Sequence, residues 1–108
     1  MTKDITIGEA VVKMSGNAAT AIRFKQVFGA DLLRAFSEQG ENLDINIVLE
    51  LGYVMHLQAS GSDFVGVGAG DFLTWLEGFE TMDMFNAAKD IVSVWIDTNK
   101  TTVKSKKK

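Results

Sequence analysis

The residues that could carry chemistry are few, and the first of them is the single histidine, His56. A histidine acts as a general base or a metal ligand only when partners stand at fixed positions around it. The chain has no cysteine, which excludes thiol catalysis and thiolate metal sites. A Ser/His/Asp triad or a histidine-rich metal site is disfavoured by the lone histidine, so we predict a structural role for His56.

Four carboxylates are crowded into one short stretch, at Asp71, Glu77, Glu80 and Asp83. Paired carboxylates serve acid–base catalysis or bind calcium. The calcium-loop pattern, with oxygen ligands at alternating positions around a central glycine, is missing. We therefore expect a solvated acidic face that complements helix N-termini, and we predict no catalytic residue, no metal ligand and no cofactor site.

Residues 60–70 contain four of the ten glycines and could suggest a phosphate-binding loop. Such a loop needs a basic residue where the next helix starts, and no Lys or Arg occurs between Arg34 and Lys89. The segment is predicted to be a mobile connector.

The charge of the chain is unevenly distributed. The formal net charge is −3, but five lysines and no acid follow from Lys100 onward. Residues 1–99 carry six basic and fourteen acidic groups, a net charge of −8. A domain with this negative charge repels a phosphate backbone, which argues against nucleic acid as a partner.

Membrane insertion and export are not expected either. No run of about 20 apolar residues occurs, so no membrane span is predicted. Residues 1–4 lack the apolar core of a signal peptide, and a cytosolic protein is expected.

The spacing of apolar residues predicts the elements that must position these groups. A β-leaning segment, Ile5 to Met14, indicates a hairpin that turns near Gly8. Helical spacing follows from Asn17, the predicted N-cap, to Phe28, with Ala21 and Ile22 in its apolar stripe, and Gly29 ends this helix. A second helix starts at Asp31, carries Leu32, Leu33, Ala35 and Phe36 as its apolar set, and ends before Gly40.

The remaining helices fill the second half of the chain. Asp44 caps the longest apolar helix, Ile45 to Ala59, which should be the central core helix, with Asn46, Glu50 and Gln58 on a narrow wet face. A short helix begins at Asp71, and a last one runs from Thr81 or Asp83 to about Asn99. We predict a mainly α fold of four to five helices with a short N-terminal β-hairpin, one domain over residues 1–99, and a basic disordered tail over 100–108.

Aromatic and methionine residues are concentrated after the glycine-rich segment. Such a cluster forms core in most proteins, but the same residue types are favoured at protein interfaces. Both interpretations stay open, and some residues can serve both. The candidate partner-binding residues are Phe72, Trp75, Leu76, Phe79, Met82 and Phe85.

The order of these parts resembles the tail assembly chaperones of long-tailed bacteriophages, especially those of Gram-positive hosts. Residues 24–33, FKQVFGADLL, are similar to the family's segment of an aromatic residue followed by Phe/Thr–Gly–x–Asp–hydrophobic. Residues 49–56, LELGYVMH, resemble its apolar helix, and residues 71–79, DFLTWLEGF, resemble its Trp–Leu–x–x–Phe signature. The glycine-rich segment at 61–70 departs from the family's usual polar loop.

This resemblance implies a non-enzymatic role in the host bacterial cytoplasm. Such proteins bind the tape measure protein and keep its long helices soluble while tail tube subunits polymerise around it. They are absent from the finished particle, and the tail tube protein is a second implied partner. Self-association is left open. The main alternative is another small α-helical adaptor or phage morphogenesis factor that acts by protein–protein binding.

Many members of this family are made as a short and an extended product by ribosomal frameshifting. Lys106, Lys107 and Lys108 are encoded by AAA or AAG codons only, so the message is A-rich there. We hypothesise that ribosomes slip near these codons and that residues 1–108 are the short product. A solvated basic tail is the alternative interpretation.

Overall fold

A computed structural model describes residues 1–40 and 42–106 of the chain, with side chains up to Thr98 within those ranges. The described residues form one globule that is 60% helical and contains five helices and an N-terminal antiparallel hairpin. Its radius of gyration is 13.3 Å, close to the ~13 Å of a compact domain of this length. The predicted fold class is confirmed.

The hairpin consists of β1 (Thr2–Ile7) and β2 (Ala10–Ser15), joined by a turn with Gly8 at φ 64°. Successive side chains of a strand point to opposite faces. Ile5 pairs with Val12 and both are buried, whereas Val11 is exposed. The predicted hairpin and its turn at Gly8 are therefore confirmed.

Two short helices follow, α1 (Thr20–Phe28) and α2 (Leu32–Gln39). Gly29 adopts the left-handed conformation (φ 74°) that ends α1, and its N–H donates to the Lys25 carbonyl at 2.7 Å. Two residues later, Asp31 Oδ1 accepts from the Arg34 N–H at 3.0 Å and caps α2. The predicted end of α1 and the predicted cap of α2 are confirmed.

The predicted start of α1 is wrong, and its predicted apolar face is only partly correct, since Ala21 and Phe28 pack against the core. Asn17 Oδ1 accepts from the Ala19 N–H at 2.8 Å and forms a turn ahead of the helix, so it is not the N-cap. The buried residues of α1 are Thr20 and Phe24, while Ile22 is 63% exposed. Thr20 and Phe24 are an i, i+4 pair and therefore lie on one face of the helix, which is the face turned toward the core.

The central helix α3 (Ile45–Ala59) has the predicted bounds, and Asp44 caps it by accepting from the Asn46 N–H at 3.0 Å. A Cβ on Gly52 would lie 3.2 Å from Ile91 Cδ1, so α3 and the last helix touch closely there. Gln58 was expected on the wet face, but it is half-buried. Its Nε2 donates to the Ser15 carbonyl at 2.6 Å and to Thr20 Oγ1 at 2.9 Å.

The last helices are α4 (Ala69–Leu76) and α5 (Thr81–Lys106). Asp71 is not the N-cap of α4. Gly68 occupies that position, and Asp71 lies in the first turn, where its Oδ2 accepts from the Gly68 N–H at 2.9 Å. Helix α5 continues to Lys106, beyond the end predicted near Asn99.

One hydrophobic core joins the hairpin to the helices. It includes Met14 from β2, Phe24 from α1, Leu51 from α3 and Ile91 from α5, all fully buried. The Lys3 ammonium and the Asp97 carboxylate form an ion pair that ties β1 to α5 at the surface. Helix α4 covers one side of this core, and the candidate partner-binding residues lie on α4, on the turn after it and at the start of α5.

Candidate interaction surface

The structure divides the six candidate partner-binding residues by exposure. Phe72 is buried, and Trp75, Leu76 and Phe79 are half-buried. Met82 and Phe85 are 63% and 48% exposed. All six lie on α4, on the short turn after it, or on the first turns of α5.

An aromatic cluster holds the α4 residues against the core. The Tyr53 ring of α3 lies 5.7 Å from the Phe72 ring and 5.3 Å from the Trp75 ring, between centroids. Phe28 meets Phe72 edge-on at 5.2 Å, and Phe79 meets Trp75 edge-on at 5.2 Å. Such pairs stabilise the fold beyond the apolar area they bury. Trp75 and Phe79 therefore pack α4 onto α3, and their truncation would perturb folding together with any binding.

His56 belongs to the edge of this cluster. Its ring stacks on Trp75 with the centroids 5.6 Å apart and the planes 17° apart. Burial lowers the pKa of His56, and a backbone hydrogen bond with Lys13 raises it to a smaller extent. Burial raises the pKa of the neighbouring Tyr53 hydroxyl, and the negative charge of Asp71 raises it further. These contacts fit the structural role predicted for His56.

An apolar cavity of about 150 Å³ lies where α3, α4 and α5 meet. Met82 follows the first α5 residue that lines it and is exposed. The residues that line the cavity are Leu49, Leu76, Phe79, Thr81, Met84 and Phe85. It thus gathers three of the six candidate residues around one opening.

A larger cavity, of about 430 Å³, lies further along α5 and is also bordered by α3. Ile45 and Val48 of α3 line it, one turn or less from Leu49 of the smaller cavity. The α5 residues of the two cavities recur every three or four positions, and they are Thr81, Met84, Phe85, Ala88, Lys89, Val92, Ser93 and Ile96. We call this face of α5, with the two cavities, the α5 strip.

The sequence pattern pointed to one end of the α5 strip as a surface and assigned the rest to the core. Ala88, Val92 and Ile96 fall in the apolar stripe predicted for the last helix, and the structure confirms that Val92 is buried and that Ala88 and Ile96 pack against the core. Spacing does not reveal that the same residues also line a cavity beside α3. Leu73, on α4, is a further exposed apolar residue that the sequence did not single out.

A third cavity, of about 300 Å³, lies between α1 and α2 and is lined in part by Ile22 and Leu33. Both residues were expected on the apolar faces of their helices, and both are more than half exposed. The apolar face expected for α2 is only partly correct, because Leu32 is buried and Leu33 points away from the core.

Two acidic residues in and beside the glycine-rich segment bind backbone N–H groups close to them in the chain. Asp63 Oδ1 accepts from the Val65 N–H at 2.9 Å, and Asp71 binds the Gly68 N–H. Phe64 is half-buried against the core, with the Arg23 guanidinium 4.7 Å above its ring. Among the described residues, no group of three His, Asp or Glu side chains is arranged to hold a metal ion.

The remaining expectations concern the C-terminal residues and membranes. Lys106 is the last residue of α5, and Lys107 and Lys108 lie outside the described residues. Within the part of the chain that the structure describes, no helix is both long and apolar enough to cross a bilayer.

Comparison of the chain with models of protein families, with curated proteins and with solved structures gave no match.

Proposed function

We propose that this protein is a tail assembly chaperone of a long-tailed bacteriophage. It acts without enzymatic chemistry in the host bacterial cytoplasm and binds the tape measure protein before tail tube subunits, a second partner, assemble around it. Two things support the proposal: the order of the motifs at residues 24–33, 49–56 and 71–79, and the surface that α4 and α5 form.

The α5 strip is the observation that carries the proposal. From Thr81 to Ile96 it covers about 22 Å at 1.5 Å per helical residue. An amphipathic helix binds a groove through apolar residues repeated every three or four positions, and a strip of this length accommodates about four helical turns. A chaperone for a client made of long helices needs a surface of this shape.

The charge of the chain fits the same role. Residues 1–99 carry a net charge of −8. Net charge of one sign keeps proteins apart in solution, and a client whose apolar face is covered by an acidic protein gains that repulsion. The proposed complex would stay soluble for this reason.

Binding is tested by co-expressing the protein with the tape measure protein of the same phage genome. We expect the client to be soluble and to co-purify with the wild type. Phe85→Ser and Met82→Ser should reduce co-purification. Leu33→Ser, which alters a similarly exposed apolar residue of α2, beside the cavity between α1 and α2, should not. If the client neither gains solubility nor co-purifies with the wild type, the proposal is wrong.

The gene gives an independent test of the frameshift hypothesis. A −1 reading frame that overlaps the codons of Lys106 to Lys108 and continues downstream is expected. Its absence would leave these codons as ordinary lysine codons and remove frameshifting from the proposal without touching client binding.

A further inference from the structure

The two ends of the α5 strip differ in charge. At the end nearest α4, Leu76 and Phe79 line the smaller cavity and are each followed by an exposed glutamate, Glu77 and Glu80. At the other end the exposed Asp44 borders the lining residues of α3, and Lys89 lines the cavity. Among the described residues, the α4 end therefore carries two acidic groups and no basic group, whereas the other end carries one of each.

One more carboxylate, on α3, is adjacent in sequence to a residue that lines this end. Asp83, in the first turn of α5, faces the hairpin instead, where its carboxylate contacts the turn at Gly8. Glu50 follows Leu49 of the cavity and is half-buried. Burial, and to a smaller extent Asp44, raises the pKa of the Glu50 carboxyl, as expected where negative charge lacks solvent.

These carboxylates are not neutralised by ion pairs. The three ion pairs found in the described residues join Lys3 to Asp97, Lys13 to Asp4 and Arg34 to Glu38, and none of them involves the α4 end. The chain offers no Lys or Arg between Arg34 and Lys89. An apolar cavity bordered by unpaired carboxylates attracts a ligand that combines apolar and basic groups.

We propose that the α5 strip binds an amphipathic helix whose apolar face is flanked by Lys or Arg at the end that meets α4. This inference rests on the proposed function and defines the chemistry of the client segment. Apolar side chains of the client helix occupy the two cavities, and its basic residues lie opposite Glu77 and Glu80. A helix with acidic flanks would be repelled at the same place.

The test uses three labelled synthetic peptides of about five helical turns, each with blocked termini, and fluorescence anisotropy with the full chain. The first has a Leu/Ala face flanked by lysines at one end. The second has glutamates in place of the lysines. The third has the composition of the first in scrambled order, which abolishes the apolar face and keeps the charge. We expect the first peptide to bind at least about tenfold more tightly than either of the others.

Variants of the protein locate the binding site. Phe85→Ser should weaken binding of the lysine peptide about tenfold, as for a central apolar contact, and the matched Leu33→Ser should leave it unchanged. The double variant Glu77→Gln/Glu80→Gln should weaken binding about fivefold at low salt and less at high salt. Asp90→Asn, which removes one exposed acid on the opposite face of α5, is the matched charge control for the single variants Glu77→Gln and Glu80→Gln. Circular dichroism verifies that each variant is folded.

The outcomes separate this inference from the proposed function. Equal binding of the lysine and scrambled peptides, or an effect of Asp90→Asn equal to that of Glu77→Gln and of Glu80→Gln, would show attraction by overall charge and overturn the inference. If the tape measure protein still co-purifies in that case, the proposed function stands and the client binds through other chemistry. Selective binding of the lysine peptide without any tape measure binding supports the basic helix site and refutes the chaperone role.

Discussion

His56 is the one side chain of this protein that titrates near neutral pH. Its Nδ1 is buried, with no hydrogen-bond partner among the described residues. The ring is fixed by its stack on Trp75, and burial lowers its pKa below the ordinary value of 6.5. The fold therefore favours the neutral ring.

We predict that His56 makes the free energy of unfolding depend on pH. In the unfolded chain His56 titrates near 6.5, so between that value and its lower folded-state pKa the unfolded chain binds more protons. The neutral ring contributes its full stability above pH 6.5, and this contribution is lost as the pH falls through the folded-state pKa. Urea unfolding at about pH 7.5 and about pH 5.5 should show a larger loss for the wild type than for His56→Phe, which keeps a stacked ring.

The comparison between these two proteins isolates His56. The Glu50 carboxyl, whose pKa is raised, favours the folded state as the pH falls and so acts in the opposite sense, but it does so equally in both proteins. Equal losses of stability in the wild type and in His56→Phe would contradict the prediction.

Single elements differ in how well the sequence predicts them. The bounds of α3 follow from a capping aspartate and an apolar run, and the elbow between α1 and α2 follows from Gly29 and Asp31. The start of α1 does not follow from the sequence pattern. Asn17 has the side chain of an N-cap, but its Oδ1 accepts a hydrogen bond in the turn before the helix. The burial of Thr20 depends on Gln58, 38 residues later, whose Nε2 donates to its hydroxyl. Local patterns carry no information about such a long-range contact.

The hairpin is docked on α5 through a glycine. A Cβ on Gly16, just after β2, would lie 2.5 Å from Thr98 Oγ1 and at ordinary contact distance from Met55 Sδ. We predict that Gly16→Ala lowers the free energy of unfolding by about 1–3 kcal/mol, as for overpacking of a filled site. Urea denaturation followed by circular dichroism measures this loss.

A second substitution tests whether the loss comes from that contact. Thr98→Ala removes Oγ1 and leaves the Thr98 Cβ 3.6 Å from the added methyl group, so Gly16→Ala/Thr98→Ala should recover most of the stability relative to Thr98→Ala alone. If Gly16→Ala costs the same in both backgrounds, the loss comes from another neighbour of the added methyl group, such as Met55 Sδ, and the contact with Thr98 Oγ1 is not its cause.

The molecule as a whole has one core, and its two tryptophans report on different sides of it. Trp95 is buried in the core on α5, with the Phe36 ring of α2 edge-on at 6.3 Å. Trp75 packs α4 against the core from the other side. Because the two sides share one core, we predict cooperative two-state unfolding.

Two variants measure this cooperativity. In Trp75→Phe only Trp95 emits, and in Trp95→Phe only Trp75 emits. Within each variant the fluorescence and the far-ultraviolet circular dichroism should give the same urea midpoint. If Trp75 fluorescence changes at lower urea than the helix signal does, α4 unfolds separately and the single-core prediction fails.

For the molecule as a whole, the sequence predicted which segment forms the candidate surface, but not which of its residues are exposed. Met82 and Met84 are two positions apart, yet Met82 is 63% exposed and Met84 is 4% exposed. Both are equally apolar, and only the way that α5 lies against α3 and α4 separates them. The cavities along α5 likewise depend on where α3 crosses it, which no spacing in the sequence encodes.

Phe64 divides the glycine-rich segment, residues 60–70, into two parts. This residue holds a positive φ of 63° and is fixed against the core under Arg23, while Val65 beside it is 80% exposed. The connection between α3 and α4 therefore consists of two short loops, or arcs, one on either side of Phe64. The entropy of closing a loop grows with its length, so each arc costs less to order than one long loop would. Natural variation in length should accumulate in the open arc after Phe64, at Val65 and Gly66, where added residues disturb no packing.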